Sequence, residues 1–547
     1  MDQVGRNPIS RRIFVGGTAA VIGAFGVSTI EAASASAAPS TATPPGGATT
    51  LPSTIPAVQD WRKGRGSFRL GPSSRVIVHR RDAGPLNQVA QLFAADLAAV
   101  AKNVSRQSSS DRAARKGDIV LQLGSVDRKL GSEGYVLEIG EQITVTARTA
   151  AGVLYGTQTL LQMLRQTKVL PAGTVKDWPG YEERGFLVDI GRMYFSLEWL
   201  KARVRDMAYL KLNTLFLHLT DDEGWRVESK LGVQSAQFLT KREVRELVAY
   251  ATRFNVTVIP EIDMPAHLGA LLTKYPQFRL VDPAGTVSPT KIDFTIPGAI
   301  DLLKSVLAEY VPLFPGRHWH LGQDEYLANS HFADYPQLQT WAQGRIGAAA
   351  TAKDAIILFA NEMNAFIRNK GKIGRIWNDN VGPGTTVEVD KNLIIQWWTD
   401  ADAENFFGDT GPYAPQVLLD MGYQVMNNCF LPTYAYPPGG QTPPIRADYL
   451  YDSWSVDRFY GYLYSVNADG SYQTYLPIKT VAVGAPGLRG ASLNNWNSGG
   501  TWTEAEAAAD LSPRLRSVTQ KAWNSPQEAA DYTAFQSVIA AVGSAPA

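Results

Sequence analysis

Thr214-Leu215-Phe216-Leu217-His218-Leu219-Thr220-Asp221-Asp222 and Thr257-Val258-Ile259-Pro260-Glu261-Ile262-Asp263-Met264-Pro265-Ala266-His267 decide the fold. Each is a short apolar run that ends in carboxylate and imidazole side chains. Unbroken apolar runs of this length mark strands buried on both faces, as parallel strands are. Between them, residues 242–254 carry apolar positions at helical spacing. Further out the unit repeats, with strands expected at 185–190, 214–219, 257–262, 318–322, 374–377, 393–397, 424–427 and 490–493. Helices are expected at 197–210, 242–254, 300–310 and 356–369. Eight strands with helical crossovers predict an α/β chain closed as a (β/α)8 TIM barrel over 179–502.

On either side of that rhythm the sequence changes character. Residues 57–178 predict a small α+β domain before the barrel, with strands at 76–78 and 119–123, a hairpin at 134–147, and helices at 92–100 and 151–164. The tail, 503–547, reads as helix packed on the barrel. Residues 38–56 are rich in Ala, Pro, Thr and Ser and read as a disordered linker. Ahead of them, Arg11-Arg12, a Gly/Ala-rich apolar stretch and Ala35-Ser36-Ala37 predict a twin-arginine signal peptide over 1–37. The expectation is a bacterial protein, exported and free of the membrane once that segment is cleaved.

Composition narrows the partners. Lys+Arg number 52 against 51 Asp+Glu, a net charge of +1, and no basic stripe offers itself to phosphates. Nucleic acid is therefore not expected as a partner. The single cysteine, Cys429, excludes an intrachain disulfide and a cysteine-type zinc site. The 13 Trp and 22 Tyr fill a core or supply rings for sugar stacking. The sequence sets no oligomeric state.

In such a barrel chemistry sits at the C-terminal ends of the strands. Asp189 and Arg192 fall there, as do His218 with Asp221-Asp222, Glu261 through His267, His320 through Glu325, Trp377-Asn378-Asp379, Trp397-Trp398 and Trp496. A mouth of carboxylates and indoles suits acid–base work on a sugar. Asp324 and Glu325 are neighbours, which does not suit the usual pair of acids on opposite sides of a glycosidic bond. Contiguous acids suffice if a 2-acetamido group of the substrate attacks its own anomeric carbon. One acid then orients the acetamido N–H, and the next protonates the leaving oxygen and later deprotonates water.

These residues resemble glycoside hydrolase family 20, the β-N-acetylhexosaminidases. His320-Leu321-Gly322-Gln323-Asp324-Glu325 is similar to the family's His-x-Gly-Gly-Asp-Glu signature, and the first three strand ends resemble its other motifs. The resemblance implies an oligosaccharide or glycoconjugate substrate and no cofactor. It implies that Asp324 positions the acetamido group and that Glu325 is the general acid/base, tuned by Asp221 and His267. Tyr434 would bind the acetamido oxygen, Arg192 the outer hydroxyls, and Trp377, Trp398 and Trp496 would wall the pocket. Three departures stand out. Gln323 replaces a glycine and is expected to narrow the site or touch substrate. Ser498 and Tyr436 stand where the family often has acids that hold the terminal sugar. Their loss keeps open a disaccharide-releasing enzyme similar to lacto-N-biosidases. Other readings are a metal hydrolase built on His318, His320, Asp221, His267 and Asp324, and a carbohydrate-binding protein that has lost catalysis. Asp189 and Glu261 read either as site groups or as partners buried with Arg192. Trp199, Trp225 and Trp319 read as core. The aromatic insertion 430–484, with Tyr434, Tyr436, Tyr449, Tyr451, Trp454, Tyr460, Tyr462 and Tyr464, reads as ordered and functional.

Overall fold

All eight barrel strands form at the stretches expected, the second as the apolar run Thr214–His218 and the eighth with Arg489, Ser492, Asn494 and Asn495 among its residues. In the computed structural model they are Glu183–Asp189, Thr214–His218, Thr257–Met264, His318–Gly322, Ile373–Trp377, Ile394–Trp397, Gln424–Asn427 and Leu488–Asn495. Each pairs in parallel with the next, and the eighth pairs with both the seventh and the first, which closes the ring. The helices expected by periodicity are Leu197–Tyr209, Lys241–Arg253, Ala299–Tyr310 and Asp354–Arg368. Two of them start at side-chain caps, Ser196 to Trp199 N and Thr240 in a capping box with Glu243. Trp199, Trp225 and Trp319 are buried as expected.

The structure describes residues 50–546, apart from 101–104, 110–113, 401–410, 441–445, 462–463, 467–471 and 475–477; for 105–109, 464–466 and 472–474 only the backbone is described. The signal-peptide expectation, Tyr462 and the side chain of Tyr464 lie outside the described residues, as does the linker expectation for 38–49. Among the described residues, no helix is long and apolar enough to cross a membrane.

The domain before the barrel is a seven-stranded sheet ordered β1-β7-β5-β6-β4-β2-β3. Its strands are β1 (Asp60–Arg69), β2 (Arg75–Val78), β3 (Ser105–Ser109), β4 (Ile119–Leu123), β5 (Tyr135–Ile139), β6 (Ile143–Ala147) and β7 (Val169–Asp177). Two helices accompany it, α1 (Ala83–Val100) and α2 (Ala150–Gln166). The hairpin β5–β6 and the strands β2 and β4 follow the sequence reading; β1 and β7 do not appear in it. Helix α2 is buried without a break from Gly152 to Leu164, because it lies between the sheet and the barrel helix Leu197–Tyr209.

Residues 50–56 correct the linker expectation. Ile55 is fully buried; its N–H donates to Gln162 Oε1 and its carbonyl accepts from Gln162 Nε2, both at 2.8 Å. Ala57 N–H donates to Gln520 Oε1 at 2.9 Å. Gln166 Nε2 donates to the Ser53 carbonyl at 2.7 Å, so the segment and the residue after it are held by three helix glutamines distant in sequence.

The small domain and the barrel share a buried polar knot. Lys211 Nζ lies 2.7 Å from Asp177 Oδ2, and both side chains are fully buried. Tyr135 O–H donates to Asp177 Oδ2 at 2.5 Å and Trp523 Nε1–H to Asp177 Oδ1 at 2.9 Å. The Lys211 ammonium lies 4.7 Å from the centroid of the Trp523 ring. The C-terminal helix Glu504–Ala522 runs along the first and eighth strands, and Tyr532–Val542 reaches back to α2. Cys429 is buried after the seventh strand, and burial pushes its thiol up to about 12.

Candidate active site

The fourth strand ends in Gly322, and the chain then turns through left-handed backbone at Gly322 (φ 77°), Gln323 (φ 84°) and Glu325 (φ 51°). Glycine is required at 322, since a Cβ there would sit 1.5 Å from Asp263 Oδ1. The turn throws Asp324 and Glu325 over the mouth. Glu325 is half exposed, whereas Asp324 is mostly covered.

His267 binds the two acids together. Its Nε2 is 3.4 Å from Asp324 Oδ2 and 3.4 Å from Glu325 Oε2, while its Nδ1 is 3.2 Å from Asp221 Oδ1. Burial opposes the imidazolium, but Asp221 and Asp324 outweigh it and hold His267 well above its ordinary range. Asp221 also takes Arg192 Nη2 at 2.8 Å and His218 Nε2 at 2.7 Å on Oδ2. Its carboxyl is held well below the usual range, since Arg192 and His267 overcome its burial. The sequence expectation that Asp221 and His267 stand behind Glu325 thus has a continuous path, Arg192 to Asp221 to His267 to the acids.

Asp324 sits between two unlike neighbours. Burial would raise its carboxyl, but the His267 charge and a hydrogen bond from Asp263 keep it low. Asp263 is pushed far up by burial and by the Asp324 charge, so it stands as a neutral acid beside an ionised one. Asp324 Oδ1 is buried without a hydrogen-bond partner among the described residues. Asp324 Oδ2 faces His267, so Oδ1 is the oxygen with no amide or hydroxyl donor among the described residues.

The aromatic walls converge on the same place. Trp377 is the floor: its Nε1–H donates to Glu261 Oε1 at 2.7 Å, and its ring lies 5.9 Å from Trp496. Trp398 lies nearly parallel to Tyr434 at 6.2 Å, and Tyr434 is 5.8 Å from Trp496. The Arg192 guanidinium carbon lies 5.5 Å from the Trp496 centroid. Burial holds the Tyr434 phenol well above 10, so it keeps its proton as a donor.

Two expectations change. Gln323 does not wall the open site: it is 2% exposed, and its Nε2 donates to Met264 O at 2.9 Å. Its side chain is long enough to fold back onto the third strand, where it braces the turn. Glu261 is not Arg192's partner. It lies between His218 Nδ1 at 3.0 Å and His320 Nδ1 at 3.1 Å, beneath Trp377. The carboxylates that hold Arg192 are Asp221, at 2.8 Å, and Asp189, at 3.1 Å. His218, Glu261, Asp263 and Asp379 lie at or near the strand ends, where the sequence placed them without giving them a role in the acid turn or the indole floor.

His318 and His320 point to different networks, His318 toward Arg375 at the far end of the barrel. Asp221, Asp222 and His267, and likewise Asp263, His267 and Asp324, bring ligand-type atoms within 4.8 Å of one another. Both sets share His267, which would have to give up its proton to ligate a cation.

Comparison with known proteins follows this geometry. The description "Glycosyl hydrolase family 20, catalytic domain" matches residues 181–411, and "Glycosyl hydrolase family 20, domain 2" matches 51–178. The chain belongs to glycosyl hydrolase family 20. Among family members it is 31% identical over 520 residues to a lacto-N-biosidase of Bifidobacterium bifidum, covering 94% of this chain and 43% of that protein. It is 29% identical over 289 residues to a β-N-acetylhexosaminidase of Cellulomonas fimi, covering 48% of this chain and 57% of that one. The chain thus spans less than two thirds of the length of these curated relatives. A solved family 20 β-N-acetylhexosaminidase of Streptomyces coelicolor superposes with TM-score 0.67 at 23% identity, over 90% of this chain and 95% of that one. It shares the fold of the barrel with its preceding domain.

Proposed function

We propose that this family 20 protein is a retaining glycoside hydrolase that cleaves β-linked N-acetylhexosamine with the substrate's own acetamido oxygen as nucleophile. The observation that carries the reading is the division of labour around His267. Its Nε2 lies 3.4 Å from both contiguous acids, while Asp324 Oδ1 is buried with no amide or hydroxyl donor among the described residues. That oxygen suits the acetamido N–H, and an ionised Asp324 stabilises positive charge on the oxazolinium ion. The Tyr434 O–H steers the attacking carbonyl oxygen. Glu325, exposed toward the aglycone, protonates the leaving oxygen and then takes a proton from water. The C2–N-acetyl group closes a ring on C1 as the glycosidic bond breaks, and water reopens it with retention.

A second reading is release of a disaccharide whose N-acetylhexosamine sits at the cleaved bond. Two observations favour it: Ser498 and Tyr436 leave the outer edge without the acids expected there, and the likeness to a lacto-N-biosidase runs along nearly the whole chain. Incubation with aryl β-N-acetylglucosaminide, aryl β-N-acetylgalactosaminide and aryl β-lacto-N-bioside separates the readings. Release from a monosaccharide substrate supports the first, and release from the lacto-N-bioside alone supports the second. Equal hydrolysis of aryl β-glucoside overturns both. Export through the twin-arginine route belongs to the same reading, on the strength of Arg11-Arg12 and the apolar stretch after them. Replacing both arginines by lysine is expected to retain the protein inside the cell.

A further inference from the structure

The turn that carries the acids has two non-glycine residues in left-handed backbone, a conformation that side chains disfavour by about 1 kcal/mol or more each. Something outside the turn must hold it. The fifth strand is followed by Asn378-Asp379-Asn380, and all three residues are buried. Asp379 Oδ1 accepts the Glu325 backbone N–H at 3.1 Å, and Asp379 Oδ2 accepts Trp398 Nε1–H at 2.5 Å. Asn380 Nδ2 donates to the Gln323 carbonyl at 3.2 Å. On the other side, Asn378 Oδ1 accepts Trp398 N–H at 2.8 Å, and its Nδ2 donates to the Thr399 carbonyl at 2.7 Å. One tripeptide therefore grips the acid turn with one hand and the indole loop with the other.

We propose that Asp379 is a positioning residue that ties the general acid and the Trp398 wall to a single carboxyl group, so that the two are set together. The inference rests on the functional reading above, in which Glu325 delivers a proton and Trp398 walls the acetamido pocket. It needs no contact between Asp379 and substrate. A carboxyl group is required because both of its oxygens receive N–H donors. An asparagine keeps one acceptor and turns an NH2 toward the other donor. An alanine keeps neither, and the turn is free to relax toward ordinary backbone, which swings Glu325 off line.

The test uses the full chain and its Asp379→Asn, Asp379→Ala, Trp398→Phe and Asp379→Asn/Trp398→Phe variants. Each is assayed on nitrophenyl and phenyl N-acetyl-β-glucosaminides, or on the corresponding lacto-N-biosides if only those are cleaved. Misplacing an acid by about 1 Å costs on the order of 10²-fold, so Asp379→Ala is expected to lose about that much kcat on the phenyl substrate. The loss on the nitrophenyl substrate is smaller, because that leaving group needs less protonation, and KM rises on both as the wall loosens. Asp379→Asn falls between, and the double variant is less impaired than the product of the single losses. Asp379 variants within about threefold of wild type, losses equal for both leaving groups, or an additive cycle would overturn the proposal. If the wild type cleaves none of these sugars, the functional reading fails separately. The tie is then read without turnover, from the Trp398 Nε1–H proton resonance assigned by its loss in Trp398→Phe. That resonance is expected to move upfield in Asp379→Asn, and an unmoved resonance overturns the tie.

Discussion

His267 is the residue on which the site's electrostatics turn, since one imidazolium faces Asp221 on one side and both acids on the other. Glu325→Gln keeps the size of the acid and removes its proton. Turnover of substrates with poor leaving groups is expected to fall by about 10²–10⁴-fold, with far less loss on nitrophenyl substrates. Steady-state kinetics on both kinds of substrate check this, and equal losses would count against the assignment. His218 makes a pH prediction. Burial opposes its charge, but Glu261 and Asp221 raise it to about 10 from an ordinary 6.5. A group raised in the folded state stabilises fully below about pH 6.5 and loses that contribution as pH climbs through 10. The thermal midpoint is expected to fall between pH 7 and 10, and His218→Gln to show a shallower fall over the same window. The sequence placed Asp324, Glu325, His267, Trp377, Trp398 and Trp496 at the barrel mouth because each lies at or just after a strand end. It did not disclose Gln323's inward turn, since a side chain's choice between solvent and a backbone carbonyl depends on a neighbouring strand.

Among elements, the barrel strands were the most legible and β1 the least. Parallel strands covered on both faces are rich in apolar residues, so Thr214–His218 and Thr257–Met264 read as runs, whereas Leu488–Asn495 carries buried Ser492, Asn494 and Asn495. β1, Asp60–Arg69, lies at the edge of its sheet with most of its residues exposed, and its charged sequence imitates a loop. Residues 50–56 were misread for a related cause: they are held by Gln162 and Gln166, not by local pattern. The turn after the fourth strand tolerates no side chain at its first residue. Gly322→Ala places a methyl group into Asp263 and forces a side chain into φ 77°, so either the turn or the third strand must shift. The variant is expected to lose at least about 10²-fold in kcat/KM with a lowered thermal midpoint. A variant of unchanged activity would show that the turn relaxes without cost.

Across the whole molecule, the small domain is wired to the barrel through charge as well as apolar packing. Lys211→Met removes the cation facing Asp177 and leaves a buried carboxylate beside Tyr135 and Trp523. The expected cost is about 3–5 kcal/mol of stability, read by chemical denaturation. Adding Asp177→Asn is expected to restore part of it, because the uncompensated charge then disappears. A lone Lys211→Met variant of wild-type stability would show that water reaches the knot. The domain order was readable from composition and rhythm, whereas this knot was not, since it joins residues from four separate stretches of chain. Cys429 adds a practical corollary. A solitary sulfhydryl sealed inside, with its proton tightly held, gives oxidants and alkylating reagents nothing to attack while the chain stays closed. Its labelling rate therefore serves as a built-in clock for opening of the seventh-strand region, and a tight-binding sugar analogue should slow that clock.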